Sequence, residues 1–216
     1  MAAVIFDLDG ALVDSAADIH AAVNRMLAEE GHPGLTRAQV TGMVGSGVGV
    51  LLDRVIAATG LPVAGRDRLL TRFMLIYETA SANLTQCYEG VPAALAALAD
   101  SGLTLGLCTN KPERPTRALL KAMGWQDRFA SVICGDSLPT RKPDPAMLHA
   151  CRAGVGGGPV LYVGDSEVDA ETAHAAGVGF LLFTEGYRKS PVEALKPLAS
   201  FDRYADLPAL VARLMG

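Results

Sequence analysis

The sequence predicts an α/β protein: a doubly wound, Rossmann-like parallel sheet with a small α-helical cap inserted after the first strand. Three observations lead there. From about Gly90 onward, short apolar runs alternate with amphipathic stretches in the βαβ manner. A further run, Ala2-Ala3-Val4-Ile5-Phe6, stands near the N-terminus and ends at Asp7-Leu8-Asp9-Gly10. Between these, from about Ser15 to Leu84, the periodicity is helical throughout.

Taken in order, the N-terminal run reads as a buried parallel strand, since such strands are apolar on both faces. Ser15-x-x-Asp18 has capping-box spacing, and Ile19, Val23, Met26 and Leu27 form the apolar face of a helix that stops at Gly31-His32-Pro33-Gly34. Thr36-x-x-Gln39 opens another helix. Helices over 48–59 and about 66–81 follow a glycine-rich turn and Gly60-Leu61-Pro62, respectively. Residues 103–108, 131–134, 160–163 and 178–183 read as buried strands separated by helices, giving five parallel strands with the first. Right-handed crossovers place their carboxyl ends at one edge, with the insert over it. The expected organisation is an α/β core of residues 1–14 and 85–216 and a helical cap of residues 15–84. Asp14-Ser15 and Gln86-Cys87 are the expected hinge.

Composition narrows the function. The chain has 216 residues, half of them hydrophobic, enough for a substantial core. A net charge of −4 without long runs of one sign offers no basic stripe, so nucleic acid is not an expected partner. No cationic segment leads into an apolar one, and no apolar stretch approaches the ~20 residues that span a bilayer. No membrane association is expected, and the cytoplasm is the expected compartment. Cys87, Cys108, Cys134 and Cys151 are far apart and contain no Cys-x-x-Cys, which fits reduced, buried thiols.

Chemistry gathers at the strand ends. Asp7 and Asp9 repel one another unless a cation, a proton or a hydrogen-bond network compensates, which suggests a metal site or acid/base work. After the second long strand come Thr109-Asn110-Lys111, a hydroxyl and backbone N–H groups entering a turn that suits an oxyanion or an ordinary helix cap. Arg141-Lys142-Pro143-Asp144-Pro145 follows the third, where Pro143 biases Lys142 to an extended conformation. Gly164-Asp165-Ser166-Glu167-Val168-Asp169 places two more carboxylates at a strand end, positions that also fit helix capping.

In this order, Asp-Leu-Asp-Gly, strand-terminal Thr-Asn, Lys-Pro and Gly-Asp-Ser-Glu-Val-Asp resemble the four motifs of the haloacid dehalogenase superfamily, over essentially the whole chain. The resemblance implies that Asp7 is the nucleophile, Asp9 the general acid/base, Thr109 a phosphate-binding residue and Lys142 a charge-neutralising one. It implies that Asp165 and Asp169 are acidic residues of a magnesium site, for which one oxygen each from Asp7 and Asp165, with the Asp9 carbonyl, phosphate and waters, would suffice. Asp169 is a ligand or, in the preferred reading, orients waters or Lys142, because two carboxylates already balance a divalent ion. A carboxylate attacks a phosphoryl dianion only where Mg²⁺ and a cation such as Lys142 offset the charge, leaving an aspartyl-phosphate on Asp7. Asp9 would be protonated when substrate binds, its pKa raised by neighbouring negative charge, and would then activate water. Ala11 stands where the superfamily usually has Thr, which removes a hydroxyl from the Asp9 loop but no nucleophile, acid or ligand.

Asp9 sets the chain apart from the dehalogenase branch, which typically lacks it. No Lys lies between Ser15 and Gln86, so a Schiff-base mechanism has no amine there. Sugar-phosphate mutases of the superfamily carry a His twelve residues after the nucleophile, where this chain has Ile19; His20 is turned about 100° away. The motifs, with Phe183-Thr184-Glu185-Gly186-Tyr187-Arg188, are most similar to the phosphoglycolate phosphatase branch. That likeness implies Mg²⁺-dependent hydrolysis of a small phosphorylated metabolite. The alternatives are a sugar-phosphate phosphatase or phosphomutase, and a non-catalytic phosphate sensor. Asn110, with N–H groups of Gly45-Ser46-Gly47, is a candidate for substrate binding, and Arg54 and Arg72 are further candidates for a substrate carboxylate; a plain loop and surface arginines are the competing readings.

Overall fold

The computed structural model describes residues 2–216. In chain order, β1 (Ala3–Phe6) and β2 (Val13–Asp14) lead into four helices, α1 (Ala16–Glu29), α2 (Arg37–Thr41), α3 (Val48–Thr59) and α4 (Arg66–Ala80). The chain returns through β3 (Gln86–Cys87), α5 (Val91–Asp100), β4 (Thr104–Cys108), α6 (Glu113–Ala122) and β5 (Ser131–Ile133). It then forms α7 (Ala146–Gly154), β6 (Val160–Gly164), α8 (Glu167–Ala176), β7 (Gly179–Phe183), α9 (Val192–Leu195), β8 (Ala199–Phe201) and α10 (Leu207–Met215).

Six strands form one parallel sheet in the order β5-β4-β1-β6-β7-β8. The period of two along β1 sends Val4 and Phe6 into one core and Ala3 and Ile5 into the other. Tyr162 likewise faces the second core while Leu161 and Val163 face the first. Burial on both faces is why these strands read as continuous apolar runs, and each large side chain so buried contributes about 1.5–3 kcal/mol. Strand order reverses at β1, which opens a crevice at its carboxyl end between β4 and β6.

The sequence predicts five strands in this sheet; the structure has six. Ala199-Ser200-Phe201 is too short, with Ser200 exposed, to show an apolar run, and its strand character comes from pairing with β7. The helical segment has its own apolar cluster, with Val23, Met26, Leu27, Val55, Phe73 and Tyr77 among its members. The Thr36/Gln39 capping box forms as expected. The one at Ser15 does not: its side chain caps nothing, and its hydroxyl is buried without a partner. Asp18 turns instead to the returning chain and accepts from Leu84 N (3.0 Å), Thr85 N (2.8 Å) and Thr85 Oγ1 (2.7 Å). These donors lie more than sixty residues downstream, where local spacing carries no signal of them. The outgoing and returning chains pair as the antiparallel ladder β2–β3. Tyr187 Oη accepts from Ser15 N (2.9 Å) and Ala16 N (3.1 Å) and donates to Asp14 Oδ1 (2.7 Å).

Candidate active site

Asp7 follows β1 directly, its N–H bonded to Val163 O at 2.8 Å. The turn beyond it closes through Gly10 N to Val13 O (2.8 Å) and Leu12 N to Leu8 O (3.0 Å). Gly10 has φ +89°, and a Cβ there would lie 2.7 Å from the Tyr187 ring and 2.8 Å from Asp165 Cγ, so only glycine fits. Ala11 is fully buried, and its carbonyl accepts from Tyr204 Oη at 2.6 Å. The turn is therefore held without the hydroxyl that Ala11 lacks.

From the ends of β1 and β6 and the first turn of α8, carboxylate oxygens of Asp7, Asp165 and Asp169 lie within 4.8 Å of one another. Asp169 is saturated. Its Oδ1 accepts from Lys142 Nζ and Tyr162 Oη, both at 2.8 Å, and its Oδ2 from Ser166 Oγ (2.7 Å), Ser166 N (3.1 Å) and Asp165 N (3.2 Å). Asp165 Oδ2 accepts from Tyr187 N at 2.6 Å, whereas Asp165 Oδ1 has no donor. Lys142 Nζ is 2.8 Å from Asp7 Oδ1, an ion-pair distance outside hydrogen-bond alignment, so this oxygen too lacks a directed donor.

Burial governs the charges. It pushes the Asp7 carboxyl up to about 7, against the lowering effect of Lys142. Asp165 is raised well above the carboxylate range by burial and then by Asp169 and Asp7. For Asp169 burial acts upward, but Lys142 and the hydrogen bonds outweigh it and hold the group low. Burial alone would lower Lys142, yet Asp169 and Asp7 hold its ammonium above the usual lysine range. Two buried carboxylate oxygens without donors, beside a third carboxylate already satisfied, suit a hard divalent cation with oxygen ligands.

The structure pairs Asp9 with a cation, where the sequence leads to an expectation of neighbouring negative charge. Its carboxylate meets Lys111 Nζ at 2.9 and 3.2 Å and stands outside the acidic trio. Lys111 is buried and also donates to Tyr77 Oη of α4. Thr109 is buried at the end of β4, its Oγ1 accepting from Lys111 N at 3.3 Å.

Asn110 is near the site, but its side chain is engaged. Nδ2 donates to Gly45 O (3.1 Å) and Lys142 O (3.0 Å), and Oδ1 accepts from Lys142 N (3.0 Å). It braces the lysine loop against the glycine turn, which leaves its backbone N–H as the group to offer an anion. One cavity is lined by Asp7, Asp9, Thr109, Asn110, Lys111 and Pro112 from the sheet side and by Ile19, Val44, Gly45, Gly47, Val48, Leu51, Phe73 and Tyr77 from the helices. Ser46 is not among the lining residues; its hydroxyl lies 3.4 Å from the Arg54 guanidinium, which also donates to Met43 O. Arg72 pairs with Glu29 at the surface. Neither arginine reaches the cavity. Ile19 lines it, while His20 bonds to Leu35 O at 2.9 Å.

Lys111, Tyr77, Tyr162 and Tyr187 are the contributors that sequence reasoning passed over. Lys111 had a usable signal, a cation in a strand-terminal turn. Tyr77 and Tyr162 had none, since each sits on an apolar face that reads as core.

This fold and acidic site define a hydrolase class: residues 4–183 match the family model of haloacid dehalogenase-like hydrolases, and the chain belongs to that family. It is 52% identical over 217 residues to the phosphoglycolate phosphatase of Cereibacter sphaeroides, covering all of both chains. It is 45% identical to the phosphoglycolate phosphatase of Rhodospirillum rubrum, over 95% of this chain and 88% of that one. A crystal structure of a predicted phosphoglycolate phosphatase from Haemophilus somnus superposes with a TM-score of 0.89, at 31% identity over 97% of each chain. Among the described residues no helix is long and apolar enough to cross a membrane.

Proposed function

We propose that the protein is a Mg²⁺-dependent phosphatase that hydrolyses 2-phosphoglycolate to glycolate and phosphate through an aspartyl-phosphate on Asp7. The observation that carries this reading is the buried pair Asp7 and Asp165, with Asp165 Oδ1 lacking a donor and Asp7 Oδ1 2.8 Å from the Lys142 ammonium. The names of the relatives supply the substrate proposed here.

Asp7 supplies the nucleophilic oxygen. Asp7 and Asp165, with the Asp9 carbonyl, would hold the metal, which when bound supplies positive charge to the phosphoryl oxygens. Lys142 adds a fixed positive charge beside the nucleophile, aimed by Asp169 and Tyr162 so that no reorganisation is required at the moment of attack. Thr109 and the Asn110 N–H receive phosphoryl oxygens. As the Asp7 oxygen bonds to phosphorus and the ester P–O bond breaks, Asp9 gives its proton to the leaving glycolate oxygen; it then takes one from the water that attacks the phosphorus of the aspartyl-phosphate, which breaks the P–O bond to Asp7 and releases phosphate.

Residues 15–84 act as the cap domain over a core of 1–14 and 85–216, hinged where β2 pairs with β3 and closing over the leaving group. Ile19 in the cavity wall supports hydrolysis over phosphoryl return to a sugar, since no histidine faces the substrate. Four free thiols, three of them buried, agree with a reducing cytoplasm.

Phosphate release tests the reading. kcat/KM for 2-phosphoglycolate is compared with hexose phosphates, phosphonoacetaldehyde and an aryl phosphate, with Mg²⁺ and with chelator. A large Mg²⁺-dependent preference for 2-phosphoglycolate is expected; equal slow release from every ester would overturn the substrate.

A further inference from the structure

We propose that Lys111, assisted by Tyr77, is the residue that selects the carboxylate end of the substrate. This rests on the reading of the substrate as a small carboxylated phosphate ester and assigns the recognition of its second charge. Among the residues lining the cavity, Lys111 is the one cation, facing Asp7 and Asp9. Without it, a substrate carboxylate would meet two carboxylates and the apolar side chains of the helical wall, an unfavourable burial of charge. The two arginines that the sequence offers for this task are committed elsewhere.

The geometry leaves Lys111 able to take a second anion. An ammonium has three protons; here they serve Asp9 Oδ1 at 2.9 Å, the longer Asp9 Oδ2 contact at 3.2 Å and Tyr77 Oη. Exchanging the longer contact for a substrate oxygen keeps the Asp9 Oδ1 bond and costs little. Tyr77 reaches this point from α4, in the helical segment, and its ring lies 4.7 Å from Lys111 Nζ. The carboxylate site is thus completed only where helices and sheet meet. The cavity has about 40 Å³ of room, space for about three waters at roughly 10–15 Å³ each.

The test compares 2-phosphoglycolate with 2-hydroxyethyl phosphate, which replaces the carboxylate by a neutral hydroxymethyl group. The readout is the ratio of the two kcat/KM values, which a general loss of fold or of Asp9 alignment does not move. In Lys111→Met the ratio is expected to fall by about 30-fold or more, chiefly through KM for 2-phosphoglycolate. In Tyr77→Phe, which removes one hydroxyl and keeps the packing, it is expected to fall by about 3- to 10-fold. An equal loss on both esters in both variants would overturn the proposal and leave Lys111 as a positioning residue for Asp9. If Lys111→Met does not fold, an unchanged ratio in Tyr77→Phe overturns the two-residue site. A wild-type protein that shows no preference for the carboxylated ester would instead overturn the substrate reading itself.

Discussion

Raising the pH should destabilise the metal-free protein across a window in which most carboxylates have finished titrating, and Mg²⁺ should reverse the effect. Burial pushes the Asp7 carboxyl from 3.8 to about 7, and Asp165 moves in the same direction. A raised carboxyl keeps its proton in the folded state after the unfolded chain has lost it. Its contribution is therefore complete below about pH 4 and is lost as pH rises through about 7. For Asp7, a rise of roughly three units at about 1.4 kcal/mol each amounts to on the order of 4 kcal/mol. A divalent cation between Asp7 and Asp165 favours their ionised forms, and free Mg²⁺ at 100 times its Kd adds about 2.7 kcal/mol. For a chain of this size that corresponds to a Tm rise of about 5–11 °C. Thermal unfolding followed by circular dichroism, with EDTA or with Mg²⁺ between about pH 5 and about pH 8.5, makes the comparison. The EDTA curve should fall with pH and the gap to Mg²⁺ should widen, since the ligands must be deprotonated to bind. Asp7→Asn should flatten both trends. A gap of the same size at every pH would refute the reasoning, because the metal would then not be linked to these carboxylates.

Three further outcomes are expected. Asp18→Ala leaves the Leu84 and Thr85 donors without their buried acceptor and should cost about 3–5 kcal/mol in denaturant unfolding; a loss below about 1 kcal/mol would show that water replaces the carboxylate. Gly164→Ala drives a Cβ into the Asp169 side chain, 2.8 Å from Oδ2 at the least crowded of its nearest contacts, and should lower phosphate release about 100-fold by displacing the partner of Lys142; an unchanged kcat would refute that route. Ala11→Thr should leave kcat and the Mg²⁺ half-saturation within about threefold while costing about 1–3 kcal/mol of packing, because Tyr204 and the backbone already hold the turn; a tenfold gain in either would assign the hydroxyl a role.

Sequence alone determined five of the six sheet strands, the helical segment between the first strand and the rest, the positions of Asp7, Thr109 and Asp165 directly after β1, β4 and β6, and those of Asp9 and Lys142 in the loops beyond β1 and β5. These are legible because their causes are local. A strand buried on both faces must be apolar along its length, and a carboxylate or lysine at its end interrupts that run visibly. The short strand β8 was not legible, since three residues with one exposed carry no period and pairing with β7 alone makes them a strand. Tertiary structure also decided every partner. Spacing shows that Ser15 and Asp18 can cap one helix, but not that Thr85 competes for Asp18. It places Asn110 beside a phosphate turn, but not its side chain between Gly45 and Lys142. It cannot show that Lys111 stands between Asp9 and Tyr77, residues 102 and 34 positions away. Hydrogen bonds and ion pairs act over about 3 Å in space regardless of separation along the chain, so which polar groups meet is fixed only when the sheet and the helices have packed.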